Sequence, residues 1–301
     1  MKPSIKILVT GQSGQVGFEL ARSLLPLGEV KICGRTEADL SQPDSLPALV
    51  QSFKPNVIVN AAAYTAVDKA EEEEALATTI NGTAPAVLAA EAKKISALLI
   101  HYSTDYVFDG TGDQPHREDE LPSPLAAYGR SKLVGDMAIE AAGGDWLIFR
   151  TTWVYAAHGK NFMKTILRLA AEREELKVVA DQYGAPTPAR LIADVTAQAI
   201  QIALRERVAG TFKSGIYNLC PHGVTNWYGF AKAIVEQARL QGLAPEPRVR
   251  QILPIPASEY PLPAKRPANS RLDLSAIEAR FGFTMPDWQT GLKLTLAELK
   301  P

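Results

Sequence analysis

The chain has 301 residues, and its 32 lysines and arginines against 33 aspartates and glutamates leave a formal net charge of -1. That balance argues against nucleic acid or an anionic membrane as a partner, because both favour a marked basic excess. The two cysteines have no metal-ligand spacing, and no apolar run approaches the roughly 20 residues that cross a bilayer. We therefore expect a cytoplasmic protein without a metal site.

Short apolar runs, typical of strands buried on both faces, alternate with helical stretches along the first half of the chain. Strands are predicted at Ile5–Thr10 and near Ile32, Val59, Leu99 and Ile148. Helices are predicted between them, at 16–25, 45–53 and 75–94. Strand and helix alternating in this way predict an α/β fold with a Rossmann-like doubly wound parallel sheet.

The second half of the chain differs in composition, because the stretch 245–267 is rich in proline. Two late helices are predicted, at 227–241 and 288–299. We expect a Rossmann domain over residues 1–175 and a smaller C-terminal substrate-binding lobe over 176–301, with an approximate, interleaved boundary. The four glutamates 71–74 are interpreted as a solvated first helical turn, favoured there by the helix dipole.

A glycine-rich turn, TGQSGQVG, follows the first strand and opens the first helix. Glycine lets the backbone approach a phosphate closely, and the helix start offers free N–H groups. A tight turn alone would also need glycine, but the strand–glycine–helix order favours dinucleotide binding. The residues expected around the phosphates are Gly11, Gln12, Ser13, Gly14, Gln15, Val16 and Gly17.

The second strand leads into CGRTEADL, where an acidic residue would favour a free ribose 2′-hydroxyl. Arg35 stands there instead, and a guanidinium pairs well with a 2′-phosphate. NADPH is therefore preferred, with NADH still open; a surface arginine without a ligand is the alternative. Asp39 and Leu40 are expected near the adenine. Further cofactor neighbours are expected after the third strand, at Ala61, Ala62, Ala63 and Tyr64.

Two stretches, YGRSK and YGFAK, place a tyrosine four residues before a lysine, on one helix face. Tyr128 and Lys132 follow the strand that ends at Thr104, where ligands bind in open α/β sheets. A nearby ammonium is expected to lower the phenol pKa, because it stabilises the phenolate. Tyr228 and Lys232 begin an amphipathic helix with no strand-end hydroxyl shortly before it. The catalytic set is therefore assigned to Thr104, Tyr128 and Lys132.

Several motifs together resemble the extended short-chain dehydrogenase/reductase superfamily: TGQSGQVG, NAAAYTAVDKAE, STDYVFDG, YGRSK, RTTWVY, QYGAPT and RPANSRL. Within it, VDKAE, DQYGAPT and RPxNSRL are similar to the dTDP-4-dehydrorhamnose reductase family, along nearly the whole chain. The resemblance implies reduction of the 4-keto group of dTDP-4-dehydro-L-rhamnose, giving dTDP-L-rhamnose. It implies Tyr128 as general acid, Lys132 at the nicotinamide ribose and Thr104 at the carbonyl oxygen.

The same resemblance implies the substrate neighbours Thr65, Val67, Thr104, Asp105, Tyr128 and Trp153. A plain core position is the alternative for Trp153. Some family members use a carboxylate after GAPT in a magnesium-bridged dimer, whereas this chain has PTPARLIAD with Arg190 there. We therefore expect no magnesium bridge, and a monomer or homodimer. The alternatives are a sugar-nucleotide epimerase or dehydratase of this superfamily, or a non-catalytic regulatory subunit with this fold.

Overall fold

A computed structural model describes residues 5–299. Its strands are β1 (Ile5–Thr10), β2 (Gly28–Cys33), β3 (Val57–Asn60), β4 (Leu98–Thr104), β5 (Asp145–Thr151), β6 (Val154–Tyr155), β7 (Glu175–Val179), β8 (Tyr183–Gly184), β9 (Thr187–Pro188), β10 (Gly215–Asn218), β11 (Thr225–Asn226) and β12 (Gln251–Ile255). Its helices are α1 (Gln15–Ser23), α2 (Leu46–Phe53), α3 (Glu74–Thr78), α4 (Ala84–Lys94), α5 (Ala127–Ala142), α6 (Phe162–Glu172), α7 (Ala189–Ala209), α8 (Trp227–Leu240), α9 (Ser275–Phe281) and α10 (Trp288–Ala297). No helix within this range is long and apolar enough to cross a membrane.

The central sheet has six parallel strands in the order β2-β1-β3-β4-β5-β10. Strands β3 and β4 are buried along their whole length, as expected for a parallel sheet covered on both faces. The strand order reverses between β1 and β3, so their carboxyl ends open a crevice where ligands bind in such sheets. The predicted α/β fold with a doubly wound parallel sheet is confirmed.

Two apolar cores cover the sheet. On one face, α1 and α7 pack through residues such as Leu20 and Ile192. On the other face, α2 and α4 pack through residues such as Val50 and Leu88. A third core lies away from this sheet, where α6, α8 and α10 meet the paired strands β7 and β12.

The second half of the chain contributes to the central sheet. Strand β10 pairs with β5, and α7 packs in the core beneath α1. In the other direction, α6 joins the third core although it precedes residue 175. This packing favours an interleaved division, and the boundary at 175/176 stays a prediction. Residues 1–4 and 300–301 of that division lie outside the described residues.

The helical stretch predicted over 75–94 is confirmed, but it is not a regular α-helix throughout. A π-helical turn, Thr79–Thr83, separates α3 from α4. It brings Gly82 against α5, where an added Cβ would lie 2.7 Å from Val134 Cγ1. The buried Asn81 amide accepts from Tyr64 N–H at 2.8 Å and donates to Ser131 Oγ at 3.0 Å. The wider turn therefore links the loop after β3 to α5, which a regular helix would not do.

Candidate active site

The glycine-rich turn packs tightly against the end of β3. Gly11 has φ +86°, and a Cβ there would lie 2.8 Å from the Ala61 carbonyl carbon. A Cβ on Gly17 would lie 2.0 Å from the Gly11 carbonyl oxygen. Gly14 is the N-cap of α1 and has no side chain to cap the first turn. That turn therefore keeps N–H groups for a phosphate, and the cradle fits a dinucleotide.

Side chains from the segment after β6 hold this turn in place. Asn161 Nδ2 donates to Gln15 Oε1 at 2.8 Å, and Gln15 Nε2 donates to the Val154 carbonyl at 3.4 Å. His158 Nε2 lies 3.3 Å from the Ser13 carbonyl oxygen. Gln12, Ser13 and Gly14 are exposed, whereas Val16 packs against the first core.

The end of β2 presents Arg35, whose side chain is 76% exposed and whose Nε lies 3.6 Å from Asp39 Oδ1. Asp39 accepts from Ser41 N–H and Oγ, and these hydrogen bonds lower the pKa of its carboxyl group. The Leu40 side chain is buried in the second core instead of lining the crevice. The loop after β3 is fixed by the Ala62 N–H, which donates to Thr10 Oγ1 at 3.2 Å.

The Thr104 and Tyr128 side chains are neighbours at the carboxyl end of β4: the Thr104 hydroxyl acts on the pKa of the Tyr128 phenol and donates to Asp105 Oδ1 at 3.2 Å. Thr104 ends β4, Tyr128 lies in the first turn of α5, and its ring packs edge-on against Tyr106 at 5.6 Å. Burial raises the pKa of the Tyr128 phenol; Asp105 and Asp136 add to this rise, and the Thr104 hydroxyl opposes it. The phenol is therefore protonated at neutral pH.

Lys132 is buried beneath this pair. Its Nζ donates to the Tyr102 carbonyl at 2.5 Å and lies 3.0 Å from His101 Nε2. Burial lowers the pKa of the ammonium to about 8, with Asp136 opposing the shift. The expected lowering of the Tyr128 pKa by Lys132 is not found, because the amine is held by its own partners while burial dominates at the phenol.

A buried polar chain behind Lys132 was missed from the sequence. Thr10 Oγ1 donates to Asn60 Oδ1 at 2.7 Å, and Asn60 Nδ2 lies 3.1 Å from His101 Nδ1. Burial lowers the pKa of His101 well below its usual value, and the nearby Lys132 charge adds to this. The imidazole is therefore neutral at pH 7. The available signal was a histidine inside the otherwise apolar run SALLIHYS.

The residues implied as substrate neighbours are spread over three elements. Asp105 follows Thr104, and burial raises the pKa of its carboxyl group to about 6. Trp153 follows β5 at φ +47° and stacks on Trp227 of α8, with ring centroids 3.7 Å apart. Thr65 is exposed and Val67 half-buried in the loop after β3, where the Val67 N–H donates to the Thr65 carbonyl at 3.0 Å.

The second tyrosine–lysine pair has different surroundings. Lys232 is exposed, and its Nζ lies over the ring of Tyr228 itself, 5.5 Å from the centroid. The expectation that no strand-end hydroxyl precedes Tyr228 is wrong, because β11 ends directly before α8 and carries Thr225. The Thr225 hydroxyl, however, donates to the Asn226 carbonyl at 3.3 Å.

The four glutamates are solvent-accessible, as the interpretation of a solvated turn expects, since Glu71 and Glu72 are exposed and the Glu73 and Glu74 side chains are 42% and 45% exposed; three of the four also make specific contacts. Glu71 Oε1 accepts from the backbone N–H of Ala127 at 2.9 Å. Glu74 forms a two-pronged pair with Arg130, at 2.7 and 2.9 Å. Glu73 accepts from the Tyr64 hydroxyl at 2.5 Å, and this hydrogen bond is the main cause that raises the pKa of Tyr64 to about 12.

No cluster of three or more histidine, cysteine or acidic side chains suited to a metal ion occurs among residues 5–299. Arg190, in the segment where some family members carry a carboxylate, pairs with Glu19 at 2.6 Å.

These features define a Rossmann-type, NAD(P)-binding oxidoreductase. They are the parallel sheet, the glycine turn where the strand order reverses, and the set Thr104, Tyr128 and Lys132. The model of the family described as "RmlD substrate binding domain" matches residues 5–300. The chain belongs to this family, which places it in the extended short-chain dehydrogenase/reductase superfamily.

Individual relatives are similar over almost their full length. The dTDP-4-dehydrorhamnose reductase of Burkholderia thailandensis is 56% identical, over 98% of this chain and 99% of the relative. The enzyme of the same name from Escherichia coli K12 is 46% identical, over 98% of both chains. A crystal structure of dTDP-4-dehydrorhamnose reductase from Bacillus anthracis in complex with NADP is 31% identical, with a TM-score of 0.87 over 98% of this chain and 99% of that one.

Proposed function

We propose that this protein catalyses the NADPH-dependent reduction of dTDP-4-dehydro-L-rhamnose to dTDP-L-rhamnose, in the biosynthesis of dTDP-rhamnose. Relatives of that name match the chain from end to end. The observation that carries the proposal is the proximity of the Thr104 hydroxyl, at the carboxyl end of β4, to a protonated Tyr128 in the first turn of α5. This proximity supports Tyr128 as a proton donor at the sheet edge where ligands bind in such folds.

Bound NADPH supplies the hydride that reduces C4 of the sugar. Tyr128 then gives its proton to the forming alkoxide, and its raised pKa keeps this proton in place until negative charge develops. Thr104 donates a hydrogen bond to the same oxygen and so stabilises the charge before proton transfer is complete. The buried Lys132 is fixed by the Tyr102 carbonyl and His101, and it would hold the nicotinamide ribose of a bound cofactor.

Cofactor choice rests on the end of β2. Arg35 is exposed and is paired only loosely with Asp39, so its guanidinium is available to a 2′-phosphate. The Bacillus anthracis relative is in complex with NADP. We therefore assign NADPH as the preferred cofactor and NADH as the weaker one.

Substrate contacts are proposed at Thr65, Val67, Asp105 and Trp153. The stack of Trp153 on Trp227 joins α8 to the segment just after β5, whose last residue, Thr151, pairs with Thr104, and it gives a rigid aromatic surface. A cytoplasmic location and a monomer or homodimer stay predictions.

The test is NADPH consumption with dTDP-4-dehydrorhamnose, followed by analysis of the product. One NADPH should be oxidised for each dTDP-rhamnose formed, and kcat/KM should be lower with NADH. An epimerase or dehydratase would convert its sugar nucleotide without net NADPH oxidation, and a regulatory subunit would show no turnover; either result would refute the proposal. Equal or better use of NADH would contradict the assignment of Arg35.

A further inference from the structure

We infer that the run Glu71–Glu74, called here the acidic run, positions the proton donor through Glu71 and Glu74, which fix the start of α5, with Glu71 as the principal positioning residue. The inference rests on the proposed function, because it takes Tyr128 as the general acid. It assigns a role to a charged segment that touches none of the reacting groups.

The start of α5 needs an external partner. The first N–H groups of a helix have no partner within the helix. The residue at the cap position is Ala126, which has no oxygen to offer, and it gives no side-chain cap. Tyr128 is the second residue of this uncapped turn, so any fraying there displaces the phenol.

Glu71 supplies the missing cap from another part of the chain. Its Oε1 accepts from the Ala127 N–H at 2.9 Å, 56 residues away in sequence. A carboxylate at this place also suits the positive end of the helix dipole. Ala126 and Ala127 are both buried, so the capped N–H lies where water replaces the lost partner poorly.

Glu74 adds a second tie within the same turn. Both of its oxygens bond Arg130, which lies two residues after Tyr128. A two-pronged pair fixes orientation as well as distance. The third acid, Glu73, accepts from the Tyr64 hydroxyl at 2.5 Å, so the run also holds the loop after β3, where the cofactor is expected.

Glu72 provides a matched control. It lies in the same run, carries the same charge and is exposed. The hydrogen bonds and ion pairs of the described residues include none made by its side chain. A general effect of negative charge near the site would appear equally in Glu71→Ala and Glu72→Ala.

The experiment combines kinetics with hydrogen exchange of the Ala127 amide, measured with NADPH bound. In Glu71→Ala we expect this amide to exchange faster and kcat to fall about five- to tenfold, as a lost helix cap would give. The dissociation constant of NADPH should be unchanged. Glu71→Gln, which keeps an acceptor oxygen, should restore most of kcat, and Glu72→Ala should match the wild type.

Unchanged exchange in Glu71→Ala, or a loss of kcat no larger than in Glu72→Ala, would overturn the inference. If Glu71→Ala does not fold, Arg130→Met decides the matter, because its side chain is partly exposed. It should accelerate exchange in the first turn and lower kcat two- to threefold, and wild-type behaviour would refute the inference. Hydrogen exchange needs no turnover, so a protein that keeps the cap but reduces no dTDP-4-dehydrorhamnose would refute the proposed function alone.

Discussion

The two tyrosine–lysine pairs, Tyr128/Lys132 and Tyr228/Lys232, share their spacing and little else. In both, the tyrosine opens a helix and the lysine lies one turn on. Lys132 is 2% exposed and bonded by a carbonyl and a histidine, whereas Lys232 lies in solvent over its own tyrosine ring. The spacing only places two side chains on one face. Whether the tyrosine and the lysine form a site depends on the strand end that lies next to their helix and on how deeply the lysine is buried.

The largest expected effect comes from the phenols themselves. Tyr128→Phe should lower kcat about a thousandfold, because it removes the proposed general acid while leaving the ring. Tyr228→Phe should retain wild-type kcat. NADPH oxidation at saturating substrate measures both, and NADPH titration checks that the first variant still binds cofactor. Comparable losses in both variants would erase the distinction between the two pairs.

The threonines before each helix sharpen the comparison. Thr104→Val keeps the shape but removes the hydroxyl at Tyr128, and kcat should fall about a hundredfold, as for loss of an oxyanion donor. Thr225→Val removes a hydroxyl that donates only to the carbonyl of the next residue, Asn226, so kcat should stay within about twofold of wild type. A Thr225 variant as slow as the Thr104 variant would argue against the site assignment.

Another expected effect, of about the same size in free energy, concerns stability and pH. The ordinary pKa of lysine is 10.5, and burial lowers that of Lys132 to about 8. Between these values the unfolded chain binds the proton and the folded one releases it, so Lys132 contributes more stability as pH rises. The unfolding free energy of wild type relative to Lys132→Met should increase by up to about 3 kcal/mol from pH 8 to 10.5.

Denaturant unfolding at several pH values measures this difference. Lys232→Met is the control, and it should follow the wild type across the range because its side chain is exposed. A wild-type advantage over Lys132→Met that shrinks with rising pH would show that the ammonium is not desolvated.

The central strands and the glycine turn were accessible from sequence because their signals are local. The run Ile5–Thr10 is the first strand to the residue, and the glycines follow it as predicted. Strand β10 was missed because GIYN is only four residues long, mostly half-buried, and preceded by the polar residues Lys213 and Ser214. It becomes a strand only because β5 offers an edge.

Contacts between segments that are distant in sequence could not be predicted from the sequence pattern either. The run Glu71–Glu74 has the composition of a solvated helix start, and nothing local distinguishes Glu71 from Glu72. The difference appears only when α5 brings Ala127 to 2.9 Å from one carboxylate. The buried chain through Asn60 and His101 depends in the same way on strands that meet in the sheet.

The position of β10 has a consequence for attempts to exchange parts of this enzyme. A fragment ending near residue 175 would leave the β5 edge unpaired and uncover the apolar face beneath α1, where α7 packs. A chimera joined there would have to import a compatible sheet edge along with the new specificity. In this molecule, new substrate selectivity is therefore better sought by grafting loops onto the intact chain than by swapping its two halves.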